Sequence, residues 1–170
     1  KNLFLNYHTR LEYETFNKKY FPTKGLKTNI SYTIYTNLQT NTAYSSFATQ
    51  VTKIFPITLN TFIIPTIYGR FIFNDDIPFI YSNVIGGEGY NLHYEQQIPF
   101  SGLIHTEFTL KLLGNAQIQV RHKFHEKQYL TLSGNYAIHK NQFSNFLQGK
   151  KIYGTSIGYG YDSLLGPIEG

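Results

Sequence analysis

The sequence of 170 residues predicts an all-β fold, namely an antiparallel transmembrane β-barrel of which this chain supplies about nine or more strands. Apolar and polar residues alternate with a period of two, which is typical of strands with one polar and one apolar face. Several alternating segments run for about nine to thirteen residues. Strands of globular proteins usually have about five or six, whereas a tilted strand needs about nine to eleven to cross a bilayer.

The first two predicted strands show the alternation most clearly. In the first, the apolar face comprises Leu3, Leu5, Tyr7, Thr9, Leu11 and Tyr13, and the opposite face comprises Phe4, Asn6, His8, Arg10, Glu12 and Glu14. In the second, Ile30, Tyr32, Ile34 and Leu38 alternate with Ser31, Thr33, Tyr35 and Asn37. Successive side chains of a strand point to opposite faces, so each predicted strand separates an apolar from a polar environment.

Charged residues are scarce along the following strands. None occurs in residues 28–52 or 54–69, and Lys53 is the single charge between them. A charge at the middle of a bilayer costs about 2–4 kcal/mol. A surface that faces lipid therefore explains such segments better than a surface that faces water.

The remaining strands follow from the same alternation. The predicted strands are 3–15, 26–38, 46–57, 61–73, 90–97, 102–113, 116–124, 128–139 and 151–161. Pro56 and Pro65 weaken the third and fourth, because proline cannot donate to a strand ladder. Leu113–Asn115 and Pro99–Gly102 are predicted short turns, while 75–89 and 140–150 are longer loops. Short turns at one end and longer loops at the other are typical of outer-membrane barrels.

Nine strands with free edges do not close an antiparallel barrel. An open edge in lipid leaves backbone N–H and C=O groups without hydrogen bonds, at several kcal/mol each. Ile168 resembles the start of a further strand. We therefore expect residues 1–170 to be one barrel domain that is incomplete at its C-terminus. Other outer-membrane subunits or a second copy of the chain would be alternative means of closing it.

Composition narrows the classes of function. The chain has no Cys, which excludes disulfides and thiolate metal sites. Its net charge of +5 is spread without a stripe of Lys and Arg, so no nucleic-acid partner is expected. No metal or cofactor is predicted. The 29 Tyr and Phe residues (15 and 14) favour an aromatic girdle at the membrane interface over a stacking platform, because many lie near strand ends.

Three motifs could carry chemistry. Gly154–Gly158 matches the G-x-S-x-G nucleophile elbow, but the alternation continues through it, whereas an elbow needs a strand, a sharp turn and a helix. The interpretation we prefer is a face of small residues that lets the wall bend or a loop pack closely. His122 and His125 would point to opposite faces of a strand, which disfavours a metal pair. Asp75 and Asp76 suit a solvated loop tip better than a cation site.

Two groups of polar residues are candidates for a barrel lumen. His8, Arg10, Glu12 and Glu14 share one strand face, and His105, Glu107 and Lys111 share another. Opposite charges on neighbouring strands would pair across a wet interior. The alternative is a polar path for a solute or a lipid headgroup.

Three short motifs, in order, resemble a known family. Residues 20–26 (YFPTKGL, with Phe21, Pro22, Thr23 and Gly25) resemble an early FPTRG turn, Gly86–Gly87 before Tyr90 resemble the opening of a long sixth loop, and residues 158–169 with Gly166–Pro167 resemble a late strand–turn–strand. Together they resemble the Omp85/BamA surface-antigen superfamily. Residues 85–102 are most similar to the C-terminal barrel of patatin-like phospholipases of Bacteroidetes-type bacteria.

This resemblance implies a barrel domain in the bacterial outer membrane, in contact with outer-membrane lipids. It implies a parent protein with an N-terminal patatin-like or POTRA-like domain outside residues 1–170. A patatin-like parent would hydrolyse phospholipid acyl esters with that domain, and no catalytic residue is assigned here. The superfamily usually has an Arg after the loop glycines, where this chain has Glu88. A barrel for protein assembly or translocation is the alternative, and a soluble β-sandwich binding module is a third.

Overall fold

The computed structural model describes residues 3–73, 78, 81–87, 96–103 and 105–170. Its largest element is an antiparallel sheet of eight strands in the order β1-β2-β3-β4-β8-β9-β10-β11. These strands are β1 Phe4–Glu14, β2 Gly25–Asn37, β3 Thr42–Pro56, β4 Thr61–Ile72, β8 Leu112–His125, β9 Gln128–Lys140, β10 Lys150–Ser163 and β11 Gly166–Glu169. The all-β prediction is confirmed. The sheet is not closed, since β1 and β11 form its two edges, and this is consistent with a partial barrel.

A second, small sheet lies between β4 and β8 in the chain. It consists of β5 Asn83–Ile85, β6 Gln97–Ile98 and β7 Glu107–Thr109, in the order β6-β5-β7. Strand β5 is parallel to β6 and antiparallel to β7. A long connection with its own sheet can pack as a unit against the main sheet.

The main sheet has one polar and one largely apolar face. Directly paired residues of neighbouring strands point to the same side. The polar face is traced across the sheet by the pairs Glu12–Asn29, Asn29–Gln50, Gln50–Tyr68, Tyr68–Asn115, Asn115–Ala137 and Ala137–Ile152. The apolar face is exposed along most strands, with Leu11 66% exposed, Ile67 65% and Ile157 70%. The described residues place no second layer over these side chains.

One predicted strand and one predicted turn are wrong. Segment 102–113 is not one strand, because only Glu107–Thr109 forms β7 and β8 begins at Leu112. The predicted turn at Leu113–Asn115 is also wrong, because β8 runs through it without a break. A Cβ on Gly114 would lie 3.4 Å from the Phe146 ring, so this glycine makes room for a neighbouring loop rather than forming a turn. The predicted strand 90–97 lies mostly outside the described residues.

The prolines fit at the positions where the ladder tolerates them. Pro65 lies inside β4, and the pairing of β4 with β3 omits Lys53 and Ile54, opposite Pro65 and Ile64. Proline has no N–H to donate, which accounts for this gap. Pro56 is the last residue of β3, where a missing donor matters least.

The connections differ between the two ends of the sheet. At one end, the turn end, β3–β4, β8–β9 and β10–β11 are joined by the short segments 57–60, 126–127 and 164–165. At the other, the loop end, 73–111 and 141–149 are long and 38–41 is short. Five of the seven connections thus follow the predicted asymmetry, and the exceptions are the long β1–β2 segment 15–24 at the turn end and the short segment 38–41 at the loop end. Segment 141–149 contains the 3-10 helix Phe146–Gln148, and no described helix is long and apolar enough to cross a membrane.

The backbone conformation at Gly25 leads to a testable prediction, because only glycine fits there without strain. Its φ is +127°, and a Cβ there would lie 2.5 Å from the Thr15 carbonyl oxygen. Gly25→Ala should therefore lower the free energy of unfolding of the intact protein in lipid by about 1–3 kcal/mol, measured by urea titration. The control is Gly158→Ala, whose Cβ would lie 3.6 Å from the Gly170 oxygen, an ordinary contact. Equal midpoints for the two variants would contradict the assignment of strain to Gly25.

Candidate functional site

Two segments cover the polar face of the main sheet. The first is the insert, defined here as the described residues 81–87, 96–103 and 105–111 between β4 and β8. The second is the cap loop, residues 15–24 between β1 and β2. The insert approaches from the loop end and the cap loop from the turn end.

An apolar core fastens the insert to strands β8, β9 and β10. Ile85, Ile98 and Phe100 of the insert are buried against Leu113 and Ala137 of the sheet, and the partly buried Tyr68, Leu103 and Ile152 pack around them. Leu113, Ala137 and Ile152 belong to the otherwise polar face. The sequence therefore replaces polar by apolar residues where the insert lies.

Gly154 of β10 receives the tip of the insert. A Cβ at this position would overlap the Ser101 carbonyl oxygen and lie 2.6 Å from the Phe100 ring. Gly102 at the tip has φ +90°, and a Cβ there would lie 3.3 Å from the Thr155 carbonyl oxygen. The predicted close packing of a loop on the small-residue face of β10 is confirmed at Gly154.

The G-x-S-x-G match is not a nucleophile elbow. Ser156 lies in the middle of β10, which continues as a strand from Lys150 to Ser163. The sharp strand-to-helix turn that exposes such a serine does not occur there. The geometry therefore supports the interpretation of residues 154–158 as a strand with one face of small residues.

A buried arginine of the sheet holds the entry of the insert. Arg70 of β4 is only 4% exposed. Its guanidinium donates to Asn83 Oδ1 at 2.5 Å, to the Tyr81 carbonyl oxygen at 3.3 Å and to Ser46 Oγ at 3.4 Å. Asn83 Nδ2 in turn donates to the Leu110 and Lys111 carbonyl oxygens at 2.8 and 2.9 Å. One amide side chain thus links the sheet to both ends of the insert.

Tyr81 adds an aromatic contact at the same place. Its ring centroid lies 4.2 Å from that of Tyr35, 5.9 Å from that of Tyr44 and 5.8 Å from that of Phe4. These rings belong to β2, β3 and β1. The insert is therefore bound to the first four strands by Arg70 and Tyr81, and to the later strands by its apolar core.

The cap loop contains the predicted FPTKG turn and packs across the sheet. Phe21 stacks on Tyr129 of β9 with centroids 4.2 Å apart, and Arg121 of β8 lies 5.5 Å from the same ring. Phe16 packs on a core of Ile54, Phe62 and Ile64 from β3 and β4. Because the loop starts at β1 and reaches β9, the sheet must curve strongly toward its polar face.

Local hydrogen bonds give the cap loop its shape. Asn17 Oδ1 accepts from the backbone N–H groups of Thr23 and Lys24 at 3.0 and 3.2 Å. Phe21 adopts a φ of +44°, and Pro22 follows it, half-buried. Gly25 then opens β2. The residues predicted to form this motif thus lie together in one turn.

The charged residues of β1 form a paired network on the polar face. Lys27 Nζ of β2 contacts Glu14 Oε2 at 2.6 Å and Glu12 Oε1 at 3.0 Å. Arg10 Nη2 contacts Glu12 Oε2 at 2.9 Å, and His8 Nδ1 is 2.8 Å from Thr33 Oγ1. These side chains are largely exposed, so each ion pair contributes about 0–1 kcal/mol.

The second predicted polar group has a different place. Glu107 lies in β7, while His105 and Lys111 flank that strand, so all three belong to the insert rather than to the main sheet. His122 Nδ1 lies 2.9 Å from Thr61 Oγ1. Within the described residues no three metal-ligating side chains come together. Asp75 and Asp76 lie outside these residues.

The glycines of the two predicted motifs adopt positive φ angles where the structure describes them. Gly86 and Gly87 have φ of +109° and +80° and donate N–H groups to the Ile98 and Leu103 carbonyl oxygens at 3.0 and 2.8 Å. Tyr90 lies outside the described residues. At the other motif, Gly166 has φ +129° and starts β11, where Pro167 pairs with Asp162. Ile168 belongs to this strand, as predicted.

The sequence reasoning missed Arg70, Tyr81 and Asn83. A usable signal existed for one of them, because Arg70 directly follows the charge-free residues 54–69. A lone charge on such a strand needs a partner. Nothing in the sequence indicated that the partner would be Asn83, since that contact depends on the course of the insert.

A model of the OMP85 superfamily matches residues 1–170. The chain belongs to the OMP85 superfamily. It is thus a β-barrel segment of that superfamily, whose members are generally located in the outer membrane. A search of curated proteins finds no match to this chain. In this OMP85 segment, Arg70 of the sheet holds the described insert on the polar face through Asn83.

The seating of the insert on β10 predicts the effect of a side chain at Gly154. Gly154→Val should lift the tip and raise hydrogen exchange at the Gly87 and Leu103 amides by about tenfold or more, because the overlap leaves no room for the docked state. The measurement is hydrogen exchange with mass spectrometry on the intact protein in lipid. Gly134→Val is the control, since its Cβ would meet only Ile118 Cγ2, at 3.8 Å. Unchanged exchange in Gly154→Val would contradict the described docking.

Proposed function

We propose that this OMP85 segment forms part of the lipid-facing wall of a bacterial outer-membrane barrel that anchors its parent protein and whose interior is blocked by the insert and the cap loop. The observation that carries the proposal is the long antiparallel sheet with an exposed apolar face and a polar face that the insert and the cap loop partly cover. Closed barrels are the β-structures that satisfy every backbone hydrogen bond within lipid.

The exposed face supports contact with hydrocarbon. Its large apolar side chains include Leu5, Tyr7, Leu11, Ile67, Ile118, Leu132, Tyr153 and Ile157, each more than half exposed. A soluble protein rarely exposes such a continuous apolar surface. A β-sandwich would bury this face between two sheets, so the described structure contradicts the soluble sandwich.

The covered polar face supports an anchor with a blocked interior. The insert covers the loop end of the sheet through Phe100 and Asn83, and the cap loop covers the turn end through Phe21. The side chains of Phe100, Asn83 and Phe21 are each 5% exposed or less. Passage of a solute or lipid headgroup along the polar face would require at least one of these segments to move.

A role in protein assembly or translocation is the second candidate. The specific observation in its favour is that the insert lies on the polar face as the superfamily pattern implies, although Glu88 replaces the expected loop Arg. The patatin-like phospholipase parent rests on the resemblance of residues 85–102 alone. Sequence on either side of this chain distinguishes the two, since a G-x-S-x-G elbow indicates a phospholipase and POTRA-like repeats indicate assembly.

The unpaired edges of the sheet indicate that further strands must pair with this segment in lipid. Strand β1 is paired on one side only, by β2, and its side chains are almost all exposed. In lipid this edge needs another strand. Further strands of the parent, another outer-membrane subunit or a second copy would supply it.

Spin labels test the membrane contact directly. The chain has no Cys, so single Cys substitutions can be placed at Leu132, Ser133, Ser156 and Ile157 of the intact protein in lipid. Labels at Leu132 and Ile157 should be accessible to oxygen, which dissolves in lipid, and labels at the two serines should not. An accessibility that does not alternate along the strands would contradict the proposal.

A charge on the apolar face should impair insertion. Val51→Arg places a cation on the exposed apolar face of β3 and should make folding into lipid less favourable by about 2–4 kcal/mol. The neighbouring Gln50→Arg points to the polar face and should have a much smaller effect. The measurement is the urea dependence of folding into vesicles. A larger loss for Gln50→Arg would show that the faces are reversed.

A further inference from the structure

Arg70 is a buried cation with neutral partners. Its guanidinium contacts an amide oxygen, a backbone carbonyl oxygen and a hydroxyl. No described carboxylate lies within ion-pair distance of it, in contrast to Arg10, which contacts Glu12. Buried charges in proteins are usually paired with an opposite charge. The described part of the docked insert therefore satisfies the hydrogen bonds of Arg70 with neutral groups and places no carboxylate beside its charge.

The surroundings of Arg70 suit an oxyanion. The side chain borders a narrow crevice lined by Tyr35, Tyr44, Ser46, Ile72 and Tyr81. Ser46 places a hydroxyl 3.4 Å from the guanidinium, Tyr44 lines the same crevice, and the described lining contains no acidic side chain. A guanidinium binds a phosphate or carboxylate group through two parallel hydrogen bonds, which are stronger than bonds to neutral acceptors.

The crevice is occupied while the insert is docked. It has no room for a water molecule, because Tyr81 and Asn83 of the insert fill the space beside Arg70. An oxyanion can reach the guanidinium only by displacing these two residues. Asn83 also holds the Leu110 and Lys111 carbonyl oxygens, so its displacement would loosen the start of the insert and the approach to β8 together.

We infer that Arg70, with Ser46 and Tyr44, forms an oxyanion site that competes with Asn83 and thereby releases the insert from the polar face. The ligand is a phosphate group, either free in solution or carried by a lipid headgroup. This inference rests on the proposed function, because it concerns the insert that blocks the interior. It deepens that function by naming the chemistry that would open it.

Hydrogen exchange of the insert tests the inference in the intact protein. Millimolar inorganic phosphate, compared with chloride at equal ionic strength, should raise exchange at the Gly86 and Gly87 amides by about tenfold. The response should disappear in Arg70→Gln and persist in Arg10→Gln, the matched arginine of the polar face that is exposed and paired with Glu12. An equal phosphate response in wild type and Arg70→Gln would overturn the inference, as would the absence of a wild-type response to both inorganic phosphate and an anionic phospholipid.

A binding measurement remains informative if Arg70→Gln does not fold. Asn83→Ala removes the competing amide, so phosphate should bind this variant about tenfold more tightly than wild type in a calorimetric titration. Unchanged affinity would overturn the competition. Arg70→Lys keeps the charge without the paired donors and should bind phosphate more weakly than wild type.

Two arms distinguish the sources of the phosphate group. In one, inorganic phosphate is added to the protein in micelles of a sugar-based detergent, which has no phosphate group, and in the other phosphatidylglycerol is added to the same micelles without inorganic phosphate. Faster exchange in the first arm supports a soluble ligand, and in the second a headgroup; no change in either overturns the site. If the oxygen accessibility of the spin labels still alternates along the strands while neither phosphate source changes the exchange, the oxyanion site is contradicted and the barrel proposal is retained.

Discussion

The separation of the two faces of one long antiparallel sheet is the constraint on which the rest of this structure depends. Strands of this length in lipid must exchange all their backbone hydrogen bonds with neighbouring strands. Their side chains then alternate between hydrocarbon and interior. Leu11 and Glu12, adjacent in β1, illustrate the result, since one lies on the exposed apolar face and the other in the ion-pair network of the polar face. Each further feature modifies one of these faces locally.

The polar face is modified where other segments of the chain lie on it. Beneath the insert, Leu113, Ala137 and Ile152 replace polar side chains, and Gly154 makes space for the Phe100 ring. Near the turn end, Phe62 and Tyr129 receive the aromatic residues of the cap loop. The insert and the cap loop thus each pack on a matching apolar patch of the polar face, and polar residues remain on the strands between these patches. Arg70 differs from the rest because it meets the insert with a charge.

The difference between prediction and structure follows from the range of the interactions. Strands β1, β2, β9 and β10 were predicted closely, because alternation along one strand is a local signal. The turn predicted at Gly114 and the strand predicted over 102–113 were wrong, because contacts with Phe146 and with the main sheet decide the conformation there. The partners of Arg70 were not predictable, since Asn83 lies 13 residues further along the chain and reaches Arg70 only when the insert folds back.

The sequence by itself determined the all-β class, the two faces, the charged residues of β1 and the turn motifs at Phe21 and Gly166, because each depends on neighbours within a few residues. Only the tertiary structure decided that the segment between β4 and β8 folds over the polar face, that Gly154 receives it and that Arg70 holds it. The physical reason is that these contacts join segments whose proximity arises from the curvature of the sheet. That curvature is a property of all the strands together, and the sequence of no single strand determines it.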